Sequence, residues 1–173
     1  MARELVLYPN KKLRQKSLAV SRFDEKLGKL LDDMHAAMIE HNGVGLAAIQ
    51  VGEALRAFVV NVPNEEGEQL EENRLEFINP EIVKAEEEIL WREGCLSIPE
   101  FTEEISRFTK IQLKYQDRGG KAFMIEAEGL LAIALQHEMD HLDGKLFVDR
   151  LPLLKRKKFE KEWKKTLKVN GKE

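Results

Sequence analysis

Apolar residues recur at spacings of three and four between positions 21 and 41, where Phe23, Leu27, Leu30, Leu31, Met34, Ala37 and Met38 form one stripe. That period predicts an amphipathic helix with one face on a core, and Ser21 or Asp24 stands where an N-cap belongs. The pattern stops at Asn42-Gly43. A run of small residues follows, Gly43-Val44-Gly45-Leu46-Ala47-Ala48-Ile49-Gln50-Val51-Gly52, in which backbones can approach closely. A strand is predicted over 56–62. Residues 63–73 are acidic and poor in apolar side chains, the composition of a solvated loop, and no chemistry is assigned to them. Strand-like stretches then occur at 75–78, 81–85 and 88–91. Two more, at 109–116 and 121–127, flank Asp117-Arg118-Gly119-Gly120 and predict a hairpin.

The helical period returns over 129–143 with Gly144 as its C′ residue, and Pro152 opens a last helix over 152–169. In that last helix Phe159, Trp163 and Leu167 recur every four residues as an apolar seam. Lys155, Arg156, Lys157, Lys158, Lys161, Lys164, Lys165 and Lys168 load the rest with positive charge. The fold class this predicts is α+β: mainly antiparallel, mixed strands packed around the 129–143 helix, with an N-terminal helix and a charged C-terminal one.

A chain of 173 residues fits one domain, 1–173, with the basic helix as part of it. The net charge of −3, from 28 basic and 31 acidic residues, excludes a general polyanion binder. The basic helix is the exception: it is either a solvated end or a surface attracted to ribosomal RNA. No segment is long and apolar enough to cross a bilayer, and the first residues lack the apolar core of a signal peptide. A cytoplasmic, soluble protein without a membrane partner is therefore expected, with a monomer as the default state. The only cysteine, Cys95, has no internal disulfide partner and is either a small buried hydrophobe or a thiolate ligand or nucleophile.

The densest chemistry lies in Gln136-His137-Glu138-Met139-Asp140-His141. Two histidines four apart project from one helix face, so both imidazoles can reach one ion while Glu138 serves a water as general base. A catalytic ion of this kind takes three protein ligands. Asp149, downstream of the helix, and Cys95, within Glu93-Gly94-Cys95-Leu96-Ser97-Ile98-Pro99, both remain open as the third.

Three segments in this order, Gly43-Val44-Gly45-Leu46-Ala47-Ala48-Ile49-Gln50, Glu93-Gly94-Cys95-Leu96-Ser97 and the histidine motif, resemble the peptide deformylase family. The likeness extends to Leu13-Arg14, Gly129-Leu130-Leu131-Ala132-Ile133 and Gly144-Lys145-Leu146-Phe147. It implies a hydrolase that removes the N-formyl group from the formyl-methionine of new polypeptides, with Cys95, His137 and His141 as ligands. It also implies Fe2+ as the native metal, replaceable by Zn2+, Ni2+ or Co2+, and a C-terminal helix that meets the ribosome. The chain departs from many deformylases at Thr102, near which they carry an arginine that binds the peptide backbone.

On this reading Glu138 takes a proton from water, and the Gln50 amide and the Leu96 backbone N–H donate to the oxyanion. Ala134, Ile133 and Leu130 lie three, four and seven positions before His137 and form an apolar wall for the methionine side chain, joined by Val44, Gly45 and Trp91. Glu93 and Arg107 form an inner ion pair that holds the Cys95 loop, and Asp140 supports a ligand. His35 and His41 are read as surface groups or partners of a helix C-terminus, outside catalysis. Two rival readings are a zinc peptidase that takes its third ligand downstream, and a non-catalytic ribosome-associated protein.

Overall fold

The computed structural model describes residues 3–169, and the side chains of residues 3–166. Three α-helices, α1 (Glu25–Glu40), α2 (Gly129–Leu142) and α3 (Leu153–Val169), accompany five strands, β1 (Gly45–Ala47), β2 (Ala57–Val60), β3 (Leu75–Cys95), β4 (Ile98–Gln116) and β5 (Ala122–Glu128). The strands form one sheet in the order β1-β2-β3-β4-β5, and every pairing is antiparallel. The expectation of mixed strands reduces to one isolated parallel bridge, Leu18 with Leu55.

β2 shows how the sheet is covered. Alternate side chains of a strand point to opposite faces. Ala57 and Val59 join the core cluster of α1, with Leu27, Leu30, Leu31, Met34 and Met38. Phe58 and Val60 join Phe77, Leu113 and the α2 residues Ala132, Leu135 and Leu142. The sheet thus lies between α1 and α2, and α2 is buried on nearly all sides from Ala132 to Leu142. Asp24, one of the two expected caps, accepts from the Leu27 N–H at 3.0 Å and starts α1. Gly144 has φ +74°, and a Cβ there would meet the Arg14 carbonyl oxygen at 2.4 Å, so the expected glycine stop is required twice over.

The three short strands expected between 75 and 91 are one strand of 21 residues, and its partner β4 starts at Ile98 instead of 109. Asn79 and Glu87 adopt positive φ, and the register shifts between Ile78 and Glu81 and between Ile82 and Lys84. Such bulges interrupt the alternation of side chains without ending the ladder, which is why the pattern reads as separate pieces.

His35 is not a surface residue as expected. It is buried, and the Asn61 Nδ2 amide donates to its Nε2 at 3.1 Å. Burial, helped by Arg74, lowers its pKa and keeps the ring neutral. His41 is the exposed C-cap of α1.

The basic helix α3 is seated by Phe159, which packs on Phe101 with ring centroids 4.4 Å apart and on Tyr8 at 5.4 Å; Trp163 meets Tyr8 edge-on at 5.3 Å. The side chains of Leu167 and Lys168 lie outside the described residues. Among the described residues, no helix is long and apolar enough to cross a membrane.

Candidate metal centre and active site

The site forms where the end of β3 meets the middle of α2. Gln136 fixes the helix against the sheet: its Nε2 donates to the Phe108 carbonyl at 2.7 Å and its Oε1 accepts from the Phe108 N–H at 2.9 Å. That register puts the last turn of α2 opposite Cys95. The His137 and His141 Nε2 atoms are 3.2 Å apart, and the Cys95 Sγ is 3.4 Å from the His141 Nε2. All three ligand atoms lie within 4.8 Å of one another. A tetrahedral ion with bonds of about 2.05 Å to nitrogen and about 2.3 Å to sulfur has N···N edges of about 3.3 Å and N···S edges of about 3.6 Å, so the donor set fits one such cation. Asp149, the other candidate ligand, is engaged elsewhere: it accepts from the Leu146 N–H at 2.9 Å and pairs with Arg14.

Glu138 is 3% exposed, and its Oε1 is a buried oxygen without a hydrogen-bond partner among the described residues. Burial, partly opposed by His137, raises its carboxyl to about 7. Its other oxygen lies against β1: a Cβ at Gly45 would come within 2.6 Å of the Glu138 Oε2, so glycine alone lets strand and carboxylate meet. Burial opposes charge on both imidazoles. Glu138, Cys95 and Glu93 nevertheless push His137 well above the ordinary value, while burial and the His137 charge push His141 well below it. Two ring nitrogens this close cannot both be protonated.

Behind the ligands runs a chain of charges. The Glu93 carboxylate hydrogen-bonds the His137 Nδ1 and takes a two-point contact from Arg107, at 2.9 Å from Nε and 2.6 Å from Nη2. Arg107 Nη1 also donates to Asp140 at 2.8 Å, and Asp140 receives both arms of Arg150 at 2.7 Å. Burial alone would raise Glu93, yet the bonds from His137 and Arg107 bring it to about 2, so it is a carboxylate. Fixing the far nitrogen of a histidine sets which ring nitrogen faces the ion. Glu93, Arg107 and Asp140 were expected from the sequence. Arg150 was not, because its contact with Asp140 depends on how the chain turns after α2.

Gln50 is 1% exposed. Its Oε1 accepts from the Ala47 N–H at 2.9 Å, which turns its Nε2 toward the Ser97 Oγ at 3.1 Å and the Cys95 Sγ at 3.6 Å. Leu96 occupies the turn between β3 and β4, directly after Cys95. A cavity of about 530 Å³ opens over these groups, and its wall includes Val44, Gly45, Gln50, Trp91, Cys95, Leu96, Leu130, Ile133, Ala134, His137 and Glu138. Trp91 and Leu130 are 37% and 39% exposed and face this cavity. Arg92 is also on the wall, and its Nη1 lies 3.3 Å from the Thr102 Oγ1, across the hairpin where this chain lacks an arginine of its own.

The family model of polypeptide deformylase matches residues 2–157. The chain belongs to the peptide deformylase family. It is 56% identical over 161 residues to a peptide deformylase of Wolinella succinogenes, covering 93% of this chain and 95% of that protein. The crystal structure of a peptide deformylase from Legionella pneumophila superposes with a TM-score of 0.89 at 39% identity, covering 100% of this chain and 99% of that one. The class I type b peptide deformylase of Acinetobacter baumannii, in a structure with Met-Ala-Ser bound, matches with a TM-score of 0.80 at 33% identity over 87% of this chain and 99% of that one. Peptide deformylases are metallohydrolases that remove the formyl group from N-formylmethionyl polypeptides, and that is the activity of this chain.

Proposed function

We propose that Cys95, His137 and His141 bind the metal of this deformylase, Fe2+ in the native enzyme, and that Glu138 is its general acid and base. The observation that carries the reading is the convergence of one sulfur and two imidazoles, with Cys95, His137 and the buried Glu138 carboxylate on the wall of one cavity. A thiolate with two imidazoles suits Fe2+, Zn2+, Ni2+ or Co2+, so availability rather than geometry selects the ion. Once held by Cys95, His137 and His141, the cation would supply Lewis acidity and lower the pKa of a nearby water.

Glu138 takes a proton from the attacking water and returns it to the leaving amine, a task suited to a carboxyl raised to about 7. The Gln50 Nε2 and the Leu96 N–H donate to the oxyanion, each contributing about 3 kcal/mol. Val44, Leu130, Ile133, Ala134 and Trp91 hold the methionine side chain. β1 is the edge strand of the sheet and its Gly45 lies on the cavity wall, which suits an extended peptide added alongside it. The Acinetobacter baumannii enzyme has been captured with the tripeptide Met-Ala-Ser bound. Glu93 and Arg107 orient His137 from behind.

The test is anaerobic purification, metal analysis and formate release from formyl-Met-Ala-Ser. Glu138→Ala is expected to keep its metal and lose turnover by at least about a hundredfold; a variant that binds metal and works at the parent rate removes Glu138 from the role. Cys95→Ala is expected to lose the metal, whereas in a zinc peptidase with a downstream third ligand it would keep it.

The exposed lysines 155, 157, 158, 161, 164 and 165 support a ribosomal RNA contact, checked by salt-dependent co-sedimentation with ribosomes. We further propose a monomeric, cytoplasmic enzyme whose residues 1–173 form a single catalytic domain, with gel filtration as the check on the oligomeric state.

A further inference from the structure

We infer that Gln69, in the acidic loop after β2, is a positioning residue that holds the Gly43–Gly45 edge of the cavity in the place where it receives the peptide. The loop does not simply trail in solvent. Gln69 Nε2 donates to the Gly43 carbonyl at 2.8 Å and to the Asn61 carbonyl at 2.7 Å, so one amide group bridges the start of the β1 edge and the end of β2. Asn61 completes the clamp: its N–H donates to the Val44 carbonyl at 2.8 Å, and its side chain donates to the Leu70 carbonyl at 3.0 Å.

The clamped segment has no slack on its other side. A Cβ at Gly43 would lie 2.5 Å from the Leu96 Cδ1, and one at Gly45 would lie 2.6 Å from the Glu138 Oε2. Gly43 is therefore wedged between Leu96 and the Gln69 amide, and a shift of this edge by a few tenths of an ångström changes the gap across which substrate must fit. Gln69 itself is not on the cavity wall. It acts through Gly43, and its loss is expected to weaken peptide binding while leaving the proton-transfer groups where they are.

The experiment uses Gln69→Ala and Gln69→Glu, the second keeping the shape and removing the amide donors. Steady-state formate release from formyl-Met-Ala-Ser is expected to show KM raised about tenfold, with kcat within about twofold of the parent. Faster amide hydrogen exchange at Val44 and Gly45 is expected in both variants. An unchanged KM, a fall in kcat at constant KM, or a lower melting temperature with parental kinetics would each overturn the inference. The inference rests on the active-site reading above; Glu138→Ala run in parallel separates the two, because a failure of that reading shows there and not in the Gln69 variants.

Discussion

Two arginine–carboxylate networks on this protein use the same chemistry in different surroundings. Behind Cys95, His137 and His141, Arg107, Glu93 and Asp140 have side chains 1%, 6% and 8% exposed. Between α1 and the sheet, Arg118 and Arg74 bind Asp32 and Glu76; Arg74 and Glu76 are each 14% exposed, but the outer partners Arg118 and Asp32 are 43% and 55% exposed. Buried charges depend on their partners, because removing one leaves the others without water or counter-ion. Exposed charges exchange their partners for water at little cost. The first network can therefore hold His137 rigidly, while the second contributes a weak, salt-sensitive tie between α1, β3 and the β4–β5 turn.

The sharpest way to break this contrast is Arg107→Ala. It strands Glu93 and Asp140 and is expected to cost about 3–5 kcal/mol of stability in urea denaturation; a loss under about 1 kcal/mol would make the two networks equivalent. Next is Glu93→Gln, which keeps the shape but takes away the charge facing both Arg107 and the His137 Nδ1. Metal affinity is expected to fall about 10–100-fold in chelator competition. The smallest effect belongs to Arg118→Ala, expected to cost no more than about 1 kcal/mol at pH 7 and less in high salt.

That last variant also has a pH signature. Hydrogen bonds from Arg118 and Arg74 hold Asp32 below the ordinary carboxylate value, and the same arginines lower Glu76 against the effect of its burial. Carboxyls whose folded pKa is depressed contribute stability above their unfolded value and lose it as the pH falls. The gap between parent and Arg118→Ala should therefore be constant near neutrality and close as the pH drops below 4.5. A gap that persists at low pH would mean that Arg118 stabilises by packing instead.

What could be read from the chain alone divides by distance along it. The α1 stripe, the two-histidine helix face and the Gly144 stop are local patterns, because the residues that create each signal are within a few positions of one another. The Cys95, Gln50 and Leu96 assignments needed the order of three motifs, since no spacing rule connects a strand end to a helix three elements later. The continuity of β3 was hidden by its positive-φ residues, Asn79 and Glu87, which mimic breaks. The contacts of Gln69 and Arg150 were missed, and His35 was misread as a surface group, for a related reason. Each looks like an ordinary polar residue of a loop or helix until a distant element supplies its partner: Gly43 for Gln69, Asn61 for His35, and Asp140, ten positions back, for Arg150.

The sulfur that ends β3 and the imidazole of His141 on α2 stand 46 residues apart in the chain and 3.4 Å apart in space. A cation bound between them would fasten strand to helix, and because it needs the folded arrangement of its ligands it would favour the native state over the unfolded chain. On the proposed ligand set, the protein's resistance to heat would gauge how fully it is loaded, rising with free ion concentration by mass action. Starvation for the ion would expose the molecule to proteolysis as well as silence it.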